Sequence, residues 1–344
     1  MPNRLPGVAY SVTIRAEYSN EPGMLGKIAS AIGEVGGDIE AVDLVQSSRN
    51  IMVRDLTVNA SNVAHGQEIV ARVRQISGVR VANVSDPTFL LHLGGKLEVH
   101  SKTPLRTRND LSMAYTPGVA RVCMAIYDDP GSVWTLTVKG NTVAVVTDGT
   151  AVLGLGDIGP LASMPVMEGK AVLYDRFVGL SATPILVDTK DPEEFIQTVE
   201  KVAPSFGGIH LEDISSPECY HIEDELNRRL SQPVMHDDQH GTATVLLAAV
   251  LSALRETGHS DDSSLVCAQI GLGAAGFGIA RLLLDYGFQV IGSDPQPDSQ
   301  QRLINYGGTV VELAEAMQTA DVVVATTGVV GLIKPAMIRP ARGP

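Results

Sequence analysis

The feature that most constrains the fold of this chain is a glycine-rich turn between an apolar run and a helical pattern. The run Ser264–Ile270 leads directly into the turn GLGAAG at 271–276, and apolar residues at helical spacing follow. A second apolar run, Phe288–Gly292, precedes Asp294, which lies roughly 20 residues after the first glycine. This succession of strand, glycine turn, helix, strand and acidic residue predicts a parallel βαβ unit of the dinucleotide-binding type.

The same turn predicts which nucleotide is bound. Glycines permit a tight turn and let a pyrophosphate approach the helix N-terminus. The candidate contacts are the positions of the turn: Gly271, Gly273, Ala274, Ala275 and Gly276. Asp294 would accept hydrogen bonds from a ribose diol and repel a 2′-phosphate, and the residues just after it supply no cation. We therefore predict NAD, with NADP less favoured; a purely structural glycine turn is the alternative interpretation.

Two pairs of carboxylates lie upstream, each at the end of a predicted strand. Glu212 and Asp213 follow the apolar run Phe206–Leu211, and Asp238 lies in the segment HDDQHG that follows the strand-like 233–235. Hard oxygen ligands at neighbouring strand ends can hold Mg²⁺ or Mn²⁺. The alternatives are a solvated loop pair for the first two residues and a helix N-cap for Asp238. Residue types alone leave these interpretations open.

Two further segments are notable but less specific. Residues 152–159 are rich in glycine, which indicates turns with positive φ or backbone held close to another group. Lys170 precedes an apolar run, and a lone lysine in such a position is usually a solvated charge.

The first 86 residues form a separate pattern. Apolar residues alternate from Val8 to Ala16, which predicts a strand with one buried face, and helical spacing begins at Leu25. The remaining predicted elements are the strands Ile39–Val45 and Ile51–Val58, a helix through Ile69 and the strand Val79–Val84. This β-α-β-β-α-β order predicts a ferredoxin-like domain.

Composition excludes several classes of protein. The formal charge of −13 argues against binding to nucleic acid or to an anionic membrane. Aromatic residues make up only 4% of the chain, too few for a base-stacking surface. The three cysteines are far apart, which fits a reducing cytosol, and the most apolar helical stretch, Thr242–Leu254, is too short to span a bilayer. With no signal-peptide pattern at the N-terminus, we expect a cytoplasmic protein.

From about Lys102 to Arg339 the chain resembles malic enzymes of the smaller bacterial type. The resemblance rests on six segments in order: AYTPGVA at 114–120, VVTDGTAVLGLGDIGP at 145–160, PVMEGKA at 165–171, GGIHLEDI at 207–214, PVMHDDQHGTA at 233–243 and GLGAAG at 271–276. The N-terminal block resembles an ACT domain in its NEPGML turn at 20–25 and in the glycines before its second strand.

The resemblance implies an oxidoreductase that converts malate to pyruvate and CO₂ with reduction of NAD. It implies that Lys170 is the general base, that Tyr115 is the acid, and that Glu212, Asp213 and Asp238 are the ligands of Mg²⁺ or Mn²⁺. On the same basis we expect Asp238 to contribute to cofactor binding as well. A lysine base needs a lowered pKa, which a neighbouring divalent cation would supply. The ACT-like domain implies regulation by a small acid or amino acid, and the family suggests a homodimer or larger assembly.

We therefore predict an α/β protein with three domains: an ACT-like domain over 1–86, a substrate and metal domain over 87–240, and a Rossmann-like NAD-binding domain over 241–344. Where larger relatives have an arginine for the substrate carboxylate, this chain has Thr150-Ala151, so that partner stays unassigned. Asp321–Ala325 is predicted as a fourth strand, and the residues up to Pro344 leave room for four strands rather than six. The nucleotide domain is thus expected to be incomplete. The alternatives are an NADP-dependent enzyme and a non-catalytic metabolite-binding protein.

Overall fold

The computed structural model describes residues 6–259 and 264–338, and the chain divides into two compact units, Met1–Glu98 and Val99–Pro344. The predicted end of the nucleotide domain at 339–344 and the first five residues lie outside the described part. The elements of the first unit are β1 (Gly7–Ser19), α1 (Met24–Glu34), β2 (Asp38–Ser47), β3 (Ile51–Ala60), α2 (Val63–Arg74), β4 (Val79–Ser85) and α3 (Pro87–His92).

The first unit confirms the predicted ferredoxin-like order. Its antiparallel sheet has the strand order β2-β3-β1-β4, and both longer helices pack on one face. Alternate residues of the central strands, such as Ile14 and Leu56, are fully buried against Ile28 of α1 and Ile69 of α2. The period of two in the strands and the helical spacing in α1 and α2 therefore meet in one core.

The second unit is built on parallel sheets joined by helices. Its elements are α4 (Arg108–Ala114), α5 (Val119–Asp128), α6 (Val133–Leu136), β5 (Thr142–Thr147), α7 (Gly159–Leu173), β6 (Ser181–Leu186), α8 (Pro192–Val202), β7 (Gly208–Leu211), α9 (Glu218–Arg229), β8 (Val234–His236), α10 (Asp237–Glu256), β9 (Val266–Ile270), α11 (Ala274–Tyr286), β10 (Gln289–Ser293), α12 (Pro297–Tyr306), β11 (Thr309–Val310), α13 (Leu313–Thr319) and β12 (Val322–Ala325).

Two four-stranded sheets position the candidate site residues. The first has the order β6-β5-β7-β8 and the second β11-β10-β9-β12, and every pairing in both is parallel. This confirms the predicted α/β class, and β12 lies where the fourth nucleotide-domain strand is predicted. In open parallel sheets ligands bind beyond the carboxyl ends of the strands. Those ends are Leu211 and His236 in the first sheet, and Ile270 and Ser293 in the second.

The helix after β8 differs from its prediction. It begins at Asp237, so its N-cap position is His236 rather than Asp238, and the side chain of His236 makes no capping bond. Asp238 therefore lies inside the first turn, and its Oδ2 accepts a hydrogen bond from the backbone N–H of Asp213 at 3.0 Å. The N-cap interpretation of Asp238 is wrong, because this carboxylate bonds across to another loop instead of to its own helix.

Within the described ranges, no helix combines the length and the apolar character needed to cross a membrane. The glycine-rich segment 152–159 forms turns in which Gly154, Gly156 and Gly159 all have positive φ, as its composition indicates.

Candidate functional site

The carboxyl ends of β7 and β8 bring four carboxylates together. Glu212 and Asp213 directly follow β7, whereas Asp237 and Asp238 form the first turn of α10. One oxygen each from Glu212, Asp213 and Asp238 lies within 4.8 Å of the others. These are the three residues predicted as metal ligands, and the fold places them around one point.

The loop after β7 explains how adjacent residues converge. Neighbouring side chains on a strand point to opposite faces, but β7 ends at Leu211 and Asp213 has φ 55°. It is the one non-glycine residue with positive φ in the described ranges, a conformation that aspartate tolerates better than most residues. The loop is held on both sides, because the Asp213 carbonyl accepts from the N–H of Ala151 and its own N–H donates to Asp238.

The electrostatics of this group favour a bound cation. Burial, reinforced by Asp238 and Glu212, raises the pKa of Asp213 to about 7. Its Oδ2 is buried and has no hydrogen-bond partner among the described residues. The pKa of Asp238 is instead held below its usual value, since interactions with His236 and the Asp213 N–H outweigh burial. A buried carboxylate oxygen without a partner, beside two other carboxylates, fits a hard divalent cation such as Mg²⁺ or Mn²⁺.

Lys170 lies beside this group, near the end of α7. Its Nζ is 2.7 Å from Asp237 Oδ2 and 3.2 Å from Glu212 Oε1. Burial of the lysine opposes its charge, but Asp237 and Glu212 outweigh burial and raise its pKa. The direction is opposite to that which a lysine base requires, because no positive charge here offsets the two carboxylates. A divalent cation on Glu212 would act in the required direction.

A histidine and a tyrosine, neither of which was predicted from the sequence, form a hydrogen-bonded chain that ends on Glu212. His210 Nε2 hydrogen-bonds Glu212 Oε2, and the hydroxyl of Tyr174 lies 2.8 Å from His210 Nδ1. A carboxylate accepts, so the hydrogen of this bond lies on Nε2, and in a neutral imidazole Nδ1 then accepts from the tyrosine hydroxyl. This pairing holds one oxygen of Glu212 and leaves the other facing Lys170. Residues two apart along a strand lie on the same face, so the spacing of His210 and Glu212 could have predicted that their side chains are neighbours.

Tyr115, the predicted acid, is not brought into this group by the described contacts. It caps the C-terminus of α4, its side chain is 68% exposed, and no hydrogen bond or ring contact joins it to Lys170 or the carboxylates. The helices on either side of it, α4 and α5, bury none of their residues. The role of Tyr115 therefore stays a prediction.

The glycine turn has the shape that a bound pyrophosphate requires. Gly271 has φ 87°, and a Cβ at Gly276 would lie 1.9 Å from the Gly271 carbonyl oxygen, so neither position accepts a side chain without strain. A Cβ at Gly273 would meet nothing within 4 Å, which leaves open space at the start of α11. No described side chain caps that terminus, which leaves its N–H groups available to an anion. The residues present fit a dinucleotide.

Asp294 joins the glycine turn to the end of β10. Its Oδ2 accepts from the N–H of Leu272 at 2.6 Å, and its Oδ1 accepts from the N–H of Gln296 at 2.8 Å. The carboxylate therefore supports the turn, and each oxygen retains lone-pair capacity for a ribose diol. The sequence predicts binding of the ribose diol but does not predict support of the turn.

Family models match three consecutive parts of the chain. An ACT domain model matches residues 6–83, and the malic enzyme N-terminal domain model matches 94–193 and 189–227. The NAD binding domain of D-isomer specific 2-hydroxyacid dehydrogenases matches 255–330.

Individual proteins are similar over longer stretches. NAD-dependent malic enzyme 1 of Bacillus subtilis is 49% identical over 95% of this chain and 75% of its own length. The NAD-dependent malic enzyme of Geobacillus stearothermophilus is 53% identical over 84% of this chain, but only 60% of that protein is covered. Among solved structures, the NAD-dependent malic enzyme of Thermotoga maritima is 38% identical with a TM-score of 0.64, covering 71% of each chain.

Proposed function

We propose that this chain, which belongs to the malic enzyme family, converts malate to pyruvate and CO₂ with reduction of NAD at a site that holds Mg²⁺ or Mn²⁺. The observation that carries the proposal is the position of Lys170 against Glu212 and Asp237, beside the three converging carboxylates. An amine next to a candidate cation site at the carboxyl edge of a parallel sheet suits removal of a proton from a substrate hydroxyl.

The positions of Lys170 and of the carboxylates support the following roles. Glu212, Asp213 and Asp238 would hold the cation, which when bound stabilises negative charge on the substrate oxygens as a Lewis acid. Lys170 removes the C2 hydroxyl proton, and Asp237, at 2.7 Å, stabilises the ammonium that forms. Bound NAD supplies the hydride acceptor. Tyr115 remains our candidate for protonating the product carbon after CO₂ leaves.

We extend the proposal to the domains. Residues 1–86 would bind a small acid or amino acid that regulates the enzyme, residues 87–240 would bind substrate and cation, and the part from residue 241 would bind NAD. A homodimer or larger assembly is the expected state. For the nucleotide we favour NAD over NADP because the carboxylate of Asp294 lies at the glycine turn, where it would repel a 2′-phosphate.

The proposal is tested by incubating the full chain with malate and Mn²⁺ and either NAD or NADP. We expect NADH, pyruvate and CO₂ in equal amounts and a clear preference for NAD. Replacing Asp294 with alanine should raise KM for NAD about 10- to 100-fold, the effect of losing a hydrogen bond to a charged acceptor.

Asp298→Ala provides the control, since Asp298 is an exposed acidic residue in the first turn of the next helix, α12. We expect this variant to keep the wild-type KM. Absence of pyruvate formation would contradict the proposed reaction. A preference for NADP that Asp294→Ala leaves intact would contradict the assignment of the nucleotide alone.

A second prediction concerns the space around Asp237. A Cβ at Gly241 would lie 2.0 Å from Asp237 Oδ1, so alanine there requires the carboxylate that contacts Lys170 to shift. We expect Gly241→Ala to lower kcat about 100-fold, as a misplacement of about 1 Å can do. The melting temperature should not fall, because alanine favours a helix interior over glycine by about 1 kcal/mol.

Gly33→Ala is the matched control for this substitution, because a Cβ there meets nothing within 4 Å on α1. It should leave kcat unchanged. An unchanged kcat in Gly241→Ala as well would show that the contact between Asp237 and Lys170 is dispensable.

A further inference from the structure

Glu223 is a buried carboxylate in α9 that the proposed reaction does not use. It is 5% exposed, and its three hydrogen-bond donors all come from the junction of β8 and α10. Its Oε1 accepts from the backbone N–H of His236 at 2.8 Å, and its Oε2 accepts from Gln239 Nε2 at 3.1 Å and from His240 Nε2 at 2.9 Å. One side chain thus binds the residues immediately before and after Asp237 and Asp238.

The junction itself is short and lacks a helix cap. β8 is three residues long, and His236, the N-cap residue of α10, makes no side-chain capping bond. An uncapped helix start leaves N–H groups without partners, and Glu223 supplies an acceptor to one of them from a different helix. Burial would raise the pKa of Glu223, but the hydrogen bonds from His240 and the His236 N–H hold it below its usual value. The carboxylate is therefore ionised and accepts from all three donors.

The opposite side of the junction is held by α11. A Cβ at Gly278 would lie 2.5 Å from the Gln239 carbonyl oxygen, so the two helix backbones are in direct contact there. The first turn of α10 is consequently clamped between Glu223 and Gly278. From this turn Asp237 reaches Lys170, and Asp238 reaches the N–H of Asp213.

We propose that Glu223 is a positioning residue that aims Asp237 at Lys170 and Asp238 at the cation site. This inference rests on the proposed cation site, because it assigns Glu223 an effect on metal affinity. Among the described hydrogen bonds, none joins Glu223 to either aspartate side chain, so Glu223 acts through the backbone and side chains that flank them. A residue that only joins α9 to α10 would affect stability without changing the affinity for the cation.

The test is a titration of the metal-free full chain with Mn²⁺. Binding is measured by calorimetry or from the electron paramagnetic resonance signal of free Mn²⁺. Glu223→Gln keeps the shape but replaces an acceptor with a donor, so at least one of the three N–H groups then faces another N–H. We expect the Kd for Mn²⁺ to rise about 10- to 100-fold, the range found when groups behind metal ligands are changed. The kcat for malate should fall while KM for NAD stays constant.

Glu225→Gln is the control. Glu225 lies on the same helix but pairs with Arg228 and Arg229 at the surface, and its replacement should leave the Kd for Mn²⁺ unchanged. If Glu223→Gln does not fold, Glu223→Asp carries the test, because it keeps the charge but is too short to reach all three donors.

The outcomes separate this inference from the proposed function. Wild-type chain that does not bind Mn²⁺ would contradict the cation site, and with it this inference. Wild-type binding together with unchanged Mn²⁺ affinity in a folded Glu223 variant would overturn the positioning role alone. Loss of folding in both variants would assign Glu223 to stability and would equally overturn it.

Discussion

Replacing Lys170 with alanine is expected to lower kcat for malate about 10²- to 10⁴-fold, the range of general base catalysis. The affinity for Mn²⁺ should stay the same or increase. The Lys170 ammonium lies 3.2 Å from Glu212 Oε1 and 2.7 Å from Asp237 Oδ2, so its removal makes the carboxylate group more negative. A variant that binds the cation at least as well but does not turn over malate would place Lys170 in the chemical step.

Two measurements check this prediction, namely steady-state kcat at saturating malate, NAD and Mn²⁺, and a Mn²⁺ titration of the metal-free protein. Lys201→Ala is a suitable control, since Lys201 is an exposed lysine in the last turn of α8. Added methylamine should restore part of the activity to Lys170→Ala by acting as a replacement base. Near-wild-type turnover in Lys170→Ala would remove Lys170 from the reaction.

Parts of this site could be predicted from the sequence where the residues concerned are close together in the chain. The dinucleotide turn was predictable because strand, glycines, helix and Asp294 are close in the chain and each has a local physical reason. The three converging carboxylates were predictable as residues that follow strands, since parallel strand ends meet at one edge of a sheet. The assignment of roles to Lys170 and Tyr115 came from resemblance rather than from any local pattern.

The features that could not be predicted concern the direction in which a side chain points rather than its place in the chain. Asp237 and Asp238 are adjacent acids, and only the start of α10 at Asp237 decides that one faces Lys170 and the other faces the loop of Asp213. The N-cap interpretation failed for the same reason. Glu223 and His210 looked like ordinary helix and strand residues, because the groups that they bond belong to other elements.

The charge of the site shows a similar limit. The resemblance implied a lysine of lowered pKa, whereas the protein's own groups raise the pKa of Lys170 and also raise that of Asp213. The pKa of Lys170 is raised by Asp237 and Glu212, whereas the pKa of Asp213 is raised first by burial and then by Asp238 and Glu212. A bound divalent cation would oppose both shifts.

Asp213→Asn should therefore weaken metal binding and stabilise the metal-free protein at the same time. We expect the Kd for Mn²⁺ to rise at least about 100-fold, because a ligand is lost and not merely a group behind one. In the metal-free protein, the free energy of unfolding near neutral pH should increase by about 1–2 kcal/mol, since a buried carboxylate beside Asp238 and Glu212 is removed.

The gain in stability should depend on pH with a definite sign. A carboxyl whose pKa is about 7 in the folded chain and lower when unfolded stabilises the fold fully at acidic pH. That contribution is lost as pH rises through about 7, so the difference between Asp213→Asn and wild type should grow between about pH 5 and about pH 8. Urea unfolding at these two pH values, with a chelator present, measures it.

Asp224→Asn is the control, because Asp224 is an exposed aspartate of α9 and should change neither Mn²⁺ affinity nor the pH dependence of unfolding. Unchanged Mn²⁺ affinity in Asp213→Asn would show that Asp213 is not a ligand. Weaker binding without any gain in metal-free stability would show that its charge is already satisfied within the fold. If Asp213→Asn binds Mn²⁺ more weakly and its metal-free form is more stable, the Asp213 carboxylate serves to bind a cation and lowers the stability of the protein when no cation is bound.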